Sequence, residues 1–149
     1  MSATVGYSGT PLPKKLGFKP GQKAAFVNLP PELGWLPQAE DFGGVEHVDL
    51  AAELALSEST AKLDLIHAFY IEAGRLRTDL PSLRSSIQPS GMIWISWPKR
   101  SAKVPTDITE DVIRAEALDI GLVDVKVCAV TEVWSGLKLV VPVAQRATR

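Results

Sequence analysis

The segment from Leu63 to Ile71 is the feature that most constrains the fold. It reads LDLIHAFYI and is nearly continuous in apolar and aromatic residues, which is typical of a strand covered on both faces. The spacing of apolar residues changes in the segment that follows, where four of them stand at helical intervals: Leu76, Leu80, Leu83 and Ile87. A two-sided strand followed by an amphipathic helix predicts one βα unit of a parallel sheet.

A proline interrupts this predicted helix. Pro81 cannot donate the interior hydrogen bond, so either the helix kinks there or a second helix begins near Asp79. The sequence QPSG then predicts a turn, and MIWISW, from Met92 to Trp97, predicts a second buried strand.

Further strands are predicted on both sides of this unit. Gln22 to Leu29 forms a first strand between Pro-Gly and Pro-Pro, and Val45 to Leu50 forms a second. Near the end of the chain, LVDVKVCAV and LKLVVPV are joined by TEVWSG, which contains a glycine, and together they predict a β-hairpin.

Helices are predicted between the strands. Thr10 and Pro11 begin a short helix that Gly17 ends, and PPELGWLPQ forms one helical turn. The helix before the hairpin ends at Gly121. Its start allows two alternative N-caps: Asp107 with Glu110, or Thr109 with the acidic residues of the first turn.

These elements predict an α/β protein. Strands that alternate with helices give a Rossmann-like, mostly parallel sheet of about six strands, and the hairpin makes the C-terminal strand antiparallel. The 149 residues fit a single domain, residues 1–149. We expect residues 1–6 and 144–149 to be flexible because they are short and polar or small.

Composition restricts the classes of function. The formal net charge is -1, which gives no global reason to expect nucleic acid. Cys128 is the single cysteine, and neither a signal peptide nor a membrane-length apolar run is apparent. We therefore expect a cytoplasmic protein without nucleic-acid or membrane partners. His47 and His67 are isolated from any ligand pattern, so no metal and no cofactor is predicted.

The candidate site follows the buried strand that ends in Trp97. In open parallel sheets ligands bind beyond the carboxyl ends of the strands. Lys99 and Arg100, with Lys103, would form a rim that attracts anions near the start of the next helix, at Asp107 and Thr109. The structural alternative is that Trp97 fills the core, Pro98 ends the strand and the cations only face water. Similarly, Trp134 is either a lid over the edge of the core or a binding platform.

Three blocks of the sequence carry a first resemblance: GYSGTPLPKKLG, WPK, and GLVDVKVCAV with WSGLKLV. Together they resemble a family of small bacterial proteins known as a domain of unknown function. The resemblance covers almost the whole chain. It implies no activity, substrate or catalytic residue.

The order of the elements carries a second resemblance. A Leu-rich helix, a glycine-preceded strand, another helix and a long hairpin resemble a shortened class I methyltransferase. The segment LGFKPGQKAAFVNLPP lies where that family has its first strand and cofactor loop, and Asp49 lies where an acidic residue would bind ribose hydroxyls. The chain departs from the family because Asn28-Leu29-Pro30-Pro31 supplies no glycine before Gly34.

These observations favour a non-catalytic binding or regulatory module that uses the carboxyl edge of a methyltransferase-like sheet. Its partner would be a small anionic ligand or a protein, held by Trp97, Lys99, Arg100, Asp107 and Thr109. The alternative is an enzyme, either a divergent methyltransferase or another nucleotide-dependent transferase.

Overall fold

One mixed sheet of six strands organises the computed structural model, which describes residues 11–48 and 62–146. The strands are β1 (Lys23–Val27), β2 (Gly44–Val48), β3 (Leu63–Phe69), β4 (Ile87–Pro98), β5 (Val123–Ala129) and β6 (Trp134–Val140). The helices are α1 (Leu12–Lys15), α2 (Ala73–Ser85), α3 (Glu110–Asp119) and α4 (Val143–Arg146).

The strand order is β2-β1-β3-β4-β6-β5. The first four strands in this order are parallel neighbours, whereas β6 is antiparallel to both β4 and β5. This arrangement confirms the predicted α/β fold, with a mostly parallel sheet and an antiparallel C-terminal hairpin. The direction of strand addition reverses between β1 and β3, and in sheets of this kind the crevice at such a reversal is a usual place for a ligand.

Two helices cover the first face of the sheet. Helix α2 buries Leu76, Leu80 and Leu83 against β3 and β4, and α3 buries Ile113 in the same core cluster. A single helix spans residues 73–85 with Pro81 inside it and exposed, so no second helix begins near Asp79.

Ile87 is not on the helix face, which corrects the prediction. The helix ends at Ser85, and Ile87 is the first residue of β4, opposite Leu63. The predicted QPSG turn is also wrong, because residues 88–91 continue β4 with a shift in register against β3. A proline and a glycine are tolerated there because the strand is irregular at this point.

The second face of the sheet is covered by short elements. Leu12 of helix α1 and Leu16, the residue after it, are buried there, and the Trp94 indole Nε1 donates to the Leu16 carbonyl at 3.0 Å. The link between β1 and β2 contains two 3₁₀ turns, Pro31–Leu33 and Leu36–Gln38, where one turn was predicted. Frequent prolines in this link fit 3₁₀ turns better than a long helix.

Pro98 is the last residue of β4, as predicted, but it still belongs to the sheet. It lies opposite Trp134 in the β4–β6 ladder, and the Lys99 N–H still donates to the Val133 carbonyl at 2.7 Å. Because Lys99 directs its N–H towards β6, the nitrogen of Pro98 faces the other side, where β3 has already ended at Phe69. The proline therefore removes no ladder hydrogen bond, and the chain leaves the sheet after Lys99.

The remaining boundaries agree with the sequence to within a few residues. Strand β2 ends at Val48, and Asp49, Leu50 and Thr10 lie outside the described residues. Thr109 is the cap of α3, since its hydroxyl accepts from the Val112 N–H at 3.2 Å. Of the termini expected to be flexible, residues 1–6 and 147–149 lie outside the described part, and residues 144–146 belong to α4. Within the described residues, no helix has the length and apolar character needed to cross a membrane.

Candidate functional site

A cleft of about 560 Å³ opens at the carboxyl ends of β1, β2 and β3, where the strand order reverses. We call it the switch-point cleft. Its lining residues come from the strand ends, the loop after β1 and the hairpin: Phe26, Asn28, Leu29, Pro30, Pro31, His47, Val48, Phe69, Ile71 and Trp134. The sequence did not predict this site, although Trp134 was considered as a binding platform.

Asn28 forms the floor of the cleft at the end of β1. Its φ angle is 58°, a left-handed conformation that asparagine tolerates better than most residues other than glycine. Its backbone N–H donates to the Val48 carbonyl at 2.8 Å, and its side-chain Nδ2 donates to the Phe69 carbonyl at 3.3 Å. Asn28 therefore ties the ends of β1, β2 and β3 together in the conformation that a glycine would otherwise supply.

Aromatic rings form the walls of the cleft. The Phe69 ring meets the Trp134 ring edge-to-face, with centroids 5.2 Å apart, and Phe26 stacks with His47 at 6.3 Å. His67 lies behind this wall and stacks on Phe69 at 4.3 Å. Phe26, Phe69 and His67 are buried, so Trp134 and His47 are the rings in this group that present surface to another flat ring.

The cleft carries little charge. Among its described lining residues, His47 is the one with an ionisable side chain, and Asn28 adds an amide. The loop after β1 leads into 3₁₀ turns of three residues each, with Pro30 and Pro31 lacking N–H groups. The array of backbone donors that binds a pyrophosphate at a helix N-terminus is therefore missing from the described part of this loop.

A second cavity, of about 480 Å³, lies beyond the carboxyl end of β4. We call it the β4 cavity. It brings together three of the residues predicted from the sequence, Trp97, Arg100 and Thr109, and its other lining residues are Pro98, Val104, Thr106, Ile108 and Glu110. Trp97 is buried with 8% of its surface exposed and packs in the core cluster under α2 and α3, as the structural alternative proposed.

The other two predicted residues lie outside the lining of this cavity. Lys99 is half-buried at the end of the ladder. The Asp107 carboxylate accepts from the Ala73 N–H at 2.7 Å, so its negative charge stabilises the start of α2. Next to it, the Thr106 hydroxyl donates to the Ile71 carbonyl at 2.6 Å. These two bonds fasten the loop after β4 to the loop after β3, between the two cavities.

Some buried polar atoms near the site have no hydrogen-bond partner within the described part of the chain, namely Trp134 Nε1 and His67 Nδ1. His67 and Ser96 are fully buried side by side, and burial lowers the pKa of His67 to about 3. Cys128 is half-buried, and burial raises the pKa of its thiol. Across residues 11–48 and 62–146, no three His, Cys, Asp or Glu side chains come together in a way that could hold a metal ion.

Comparison with solved structures identifies the fold class. The chain is similar to a SAM-dependent methyltransferase from Geobacter sulfurreducens in complex with S-adenosyl-L-homocysteine, with a TM-score of 0.62, 12% identity and coverage of 88% of this chain and 89% of that one. It is also similar to magnesium protoporphyrin IX methyltransferase from Synechocystis PCC 6803 with bound SAM, with a TM-score of 0.54, 14% identity and coverage of 83% and 71%.

A third similar structure is the CcbJ methyltransferase from Streptomyces caelestis, with a TM-score of 0.55, 8% identity and coverage of 81% and 84%. No family model and no curated protein matches the chain. At these identities the likeness shows the fold alone, which resembles that of the class I SAM-dependent methyltransferases, and the predicted resemblance is confirmed at that level.

Proposed function

We propose that this chain is a methyltransferase-like binding module that holds a flat, uncharged ring in the switch-point cleft and carries out no chemistry on it. The observation that carries the proposal is the position and lining of the cleft. It lies at the reversal of strand order, and the exposed ring of His47 and the half-buried ring of Trp134 line it, each packed against a buried phenylalanine. We also propose that the chain is related to the family of small bacterial proteins that its sequence resembles. That relationship implies no activity.

The polar groups of the cleft favour recognition over catalysis. Asn28 is already engaged with the Phe69 carbonyl, so its amide mainly fixes the floor. His47 is exposed on an edge strand, with no carboxylate or lysine beside it in the described lining of the cleft. A general acid or base usually has a second group that orients it. The described lining supplies His47 without such a partner.

A titration with adenosine, S-adenosylhomocysteine and S-adenosylmethionine tests this proposal directly, with tryptophan fluorescence as a second signal because Trp134 lines the cleft. We expect adenosine or another flat neutral ring to bind, and His47→Ala to weaken binding severalfold. Val45→Ala is the matched control, since Val45 is exposed on β2 outside the cleft lining. Equal binding by both variants would contradict the assignment of the cleft.

A divergent methyltransferase is the second candidate, and a specific observation favours it. Two of the similar structures are described with S-adenosylmethionine or S-adenosylhomocysteine bound in the same fold. Against it, Leu29, Pro30 and Pro31 place side chains where a cofactor needs close backbone approach, and the two prolines lack amide protons. We therefore expect no tight binding of S-adenosylmethionine. Calorimetry would overturn the non-catalytic proposal and support an enzyme if it gave micromolar affinity for S-adenosylmethionine and if His47→Ala abolished that binding.

A further inference from the structure

The β4 cavity has one positive group among its lining residues. Arg100 begins the 3₁₀ turn Arg100–Ala102, directly after the chain leaves the sheet, and it is exposed. Within residues 11–48 and 62–146, its guanidinium makes no hydrogen bond and no ion pair. An arginine in this condition can bind a carboxylate of a ligand through two parallel hydrogen bonds.

Glu110 supplies a negative group to the same cavity. Its Oε2 is paired with Arg114, one turn further along α3. Its other oxygen, Oε1, accepts no hydrogen bond from the described part of the chain, and 43% of the side chain is exposed. A carboxylate offers about four lone-pair sites, so the bond to Arg114 leaves Glu110 able to accept from a ligand as well.

Arg114 does not neutralise the charge of Glu110. The same guanidinium also donates to Asp111 Oδ1 at 2.8 Å and to Asp124 Oδ2 at 3.0 Å. Three carboxylates therefore share one positive charge, and the start of α3 keeps an excess of negative charge. A simple anion beside Glu110 would be repelled, whereas an ammonium group would be attracted.

The two opposite charges line one cavity without cancelling each other. In the described part of the chain, no ion pair joins Arg100 to Glu110. The two threonine hydroxyls of the lining already have partners, at the Ile71 carbonyl and the Val112 N–H. The rest of the lining is apolar and consists of Trp97, Pro98, Val104 and Ile108.

We infer that the β4 cavity binds a free apolar α-amino acid. Such a ligand carries a carboxylate for Arg100, an ammonium group for Glu110 and a side chain for the apolar part of the lining. The volume of about 480 Å³ admits a branched side chain such as that of leucine. This site is separate from the switch-point cleft, and the inference does not depend on the ligand proposed there.

Calorimetric titration with L-leucine tests this inference, together with three analogues that each lack one feature. Isocaproate keeps the carboxylate and isoamylamine keeps the ammonium group. Each should bind at least about tenfold more weakly than L-leucine, since each loses one charge-assisted contact. Glycine keeps both charges and should also bind more weakly, because it has no apolar side chain.

The outcomes against the inference are equally specific. Isocaproate that binds as tightly as L-leucine would overturn the role of Glu110, and isoamylamine that does so would overturn the role of Arg100. Glycine that matches L-leucine would overturn the apolar contact. No saturable binding of L-leucine at all would overturn the site.

Two variants locate the binding site. Arg100→Gln should weaken L-leucine binding by about tenfold. Glu110→Gln should weaken it severalfold, since this carboxylate is partly hydrated and shared with Arg114. Arg100 is exposed, and Arg114 keeps two of its three carboxylates in Glu110→Gln, so we expect both variants to retain the fold. Circular dichroism checks this.

Each variant has a matched control that does not line the cavity. Lys103→Gln removes an exposed positive charge from the same loop, and Asp111→Asn removes a neighbouring carboxylate from Arg114. Both controls should bind L-leucine as the unaltered chain does. Lys103→Gln that weakens binding as much as Arg100→Gln, or Asp111→Asn as much as Glu110→Gln, would overturn the site, because it would show only a general effect of charge.

Discussion

The imidazole Nε2 of His67 lies 2.7 Å from the hydroxyl oxygen of Ser96, and both side chains are fully buried between β3 and β4. The ring stacks on Phe69, and its Nδ1 has no hydrogen-bond partner within the described part of the chain. One hydrogen bond therefore connects two polar groups in the middle of an apolar sheet. A proton added to this ring would place a charge where water cannot solvate it.

The first prediction is a loss of stability in mild acid. Burial lowers the pKa of His67 to about 3, below its usual value of 6.5 in an unfolded chain. The unfolded state therefore binds more protons, and the stabilising contribution is complete above pH 6.5 and is lost as the pH falls towards 3. This one residue should remove about 1.4 kcal/mol of unfolding free energy per pH unit between about pH 6 and 4. Urea titrations at several pH values measure the slope.

A histidine variant isolates this contribution. His67→Gln should flatten the slope in that range. An unchanged slope in His67→Gln would show that other groups cause the acid sensitivity.

The second prediction concerns Gly136, which lies against the His67–Ser96 pair. A Cβ atom at Gly136 would stand 3.2 Å from the Ser96 hydroxyl oxygen and 3.1 Å from a methyl carbon of Val130. Gly136→Ala should therefore cost about 1–3 kcal/mol by overpacking. In Gly74→Ala the new methyl group meets open space at the start of α2, so this control should be neutral or slightly stabilising. Chemical denaturation of both variants measures the difference, and equal stability would contradict the tight packing.

The third prediction concerns Tyr70 and the buried carboxylate of Asp79. The Tyr70 hydroxyl donates to Asp79 Oδ2 at 2.9 Å, and Arg75 pairs with the same oxygen at 3.0 Å. Burial, with the negative charge of Asp79, raises the pKa of the phenol, so it remains a donor at all ordinary pH values. Tyr70→Phe should cost about 1.5–3 kcal/mol, since it removes a hydrogen bond to a charged group.

The comparison for Tyr70→Phe is Thr78→Ala, on the helix that carries Asp79. It removes an exposed hydroxyl bond to the Gly74 carbonyl and should change stability by less than about 0.5 kcal/mol. Similar urea midpoints for the two variants would show that the tyrosine hydroxyl adds nothing to the network.

The fourth prediction separates packing from binding at the β4 cavity. Trp97→Ala should cost about 3–5 kcal/mol, because the indole fills the core under α2 and α3. Replacing Lys99 and Arg100 together by alanine should change the melting temperature little, since surface substitutions contribute within about 0.5 kcal/mol. The double variant should lose any phosphate or carboxylate ligand that binds at this cavity. Unaltered binding by the double variant would leave the loop with a structural role alone.

The strands of the parallel core were predictable because their apolar runs are long and both faces are buried. Strand β3 ends two residues before the predicted end at Ile71. The errors at the end of α2 and at the start of β4 have a common cause. Ile87 continues the helical spacing of apolar residues, but it fits equally well as the first residue of a strand. Only the pairing with Leu63, which is distant in sequence, decides between the two.

The site was only partly predictable for a similar reason. Trp97, Arg100 and Thr109 are close together in sequence, and the sequence placed them at the correct edge of the sheet. The switch-point cleft combines Phe26, His47, Phe69 and Trp134 from four strands, and its position depends on strand order. Asn28 before Leu-Pro-Pro was the signal that could have directed attention to it, since asparagine commonly adopts a left-handed conformation.

Strand β2 has a consequence for access to the cleft. It lies at the edge of the sheet and pairs with β1 through five residues, and none of its own residues is fully buried. Elements of this kind are the first to open in native-state amide exchange, at a small fraction of the global unfolding energy. Because β2 carries His47 and Val48, its fraying would remove one wall of the switch-point cleft while the β3–β4 core stays closed. Binding of a flat ring in the cleft should therefore slow amide exchange in β2 and leave exchange in the other strands unchanged.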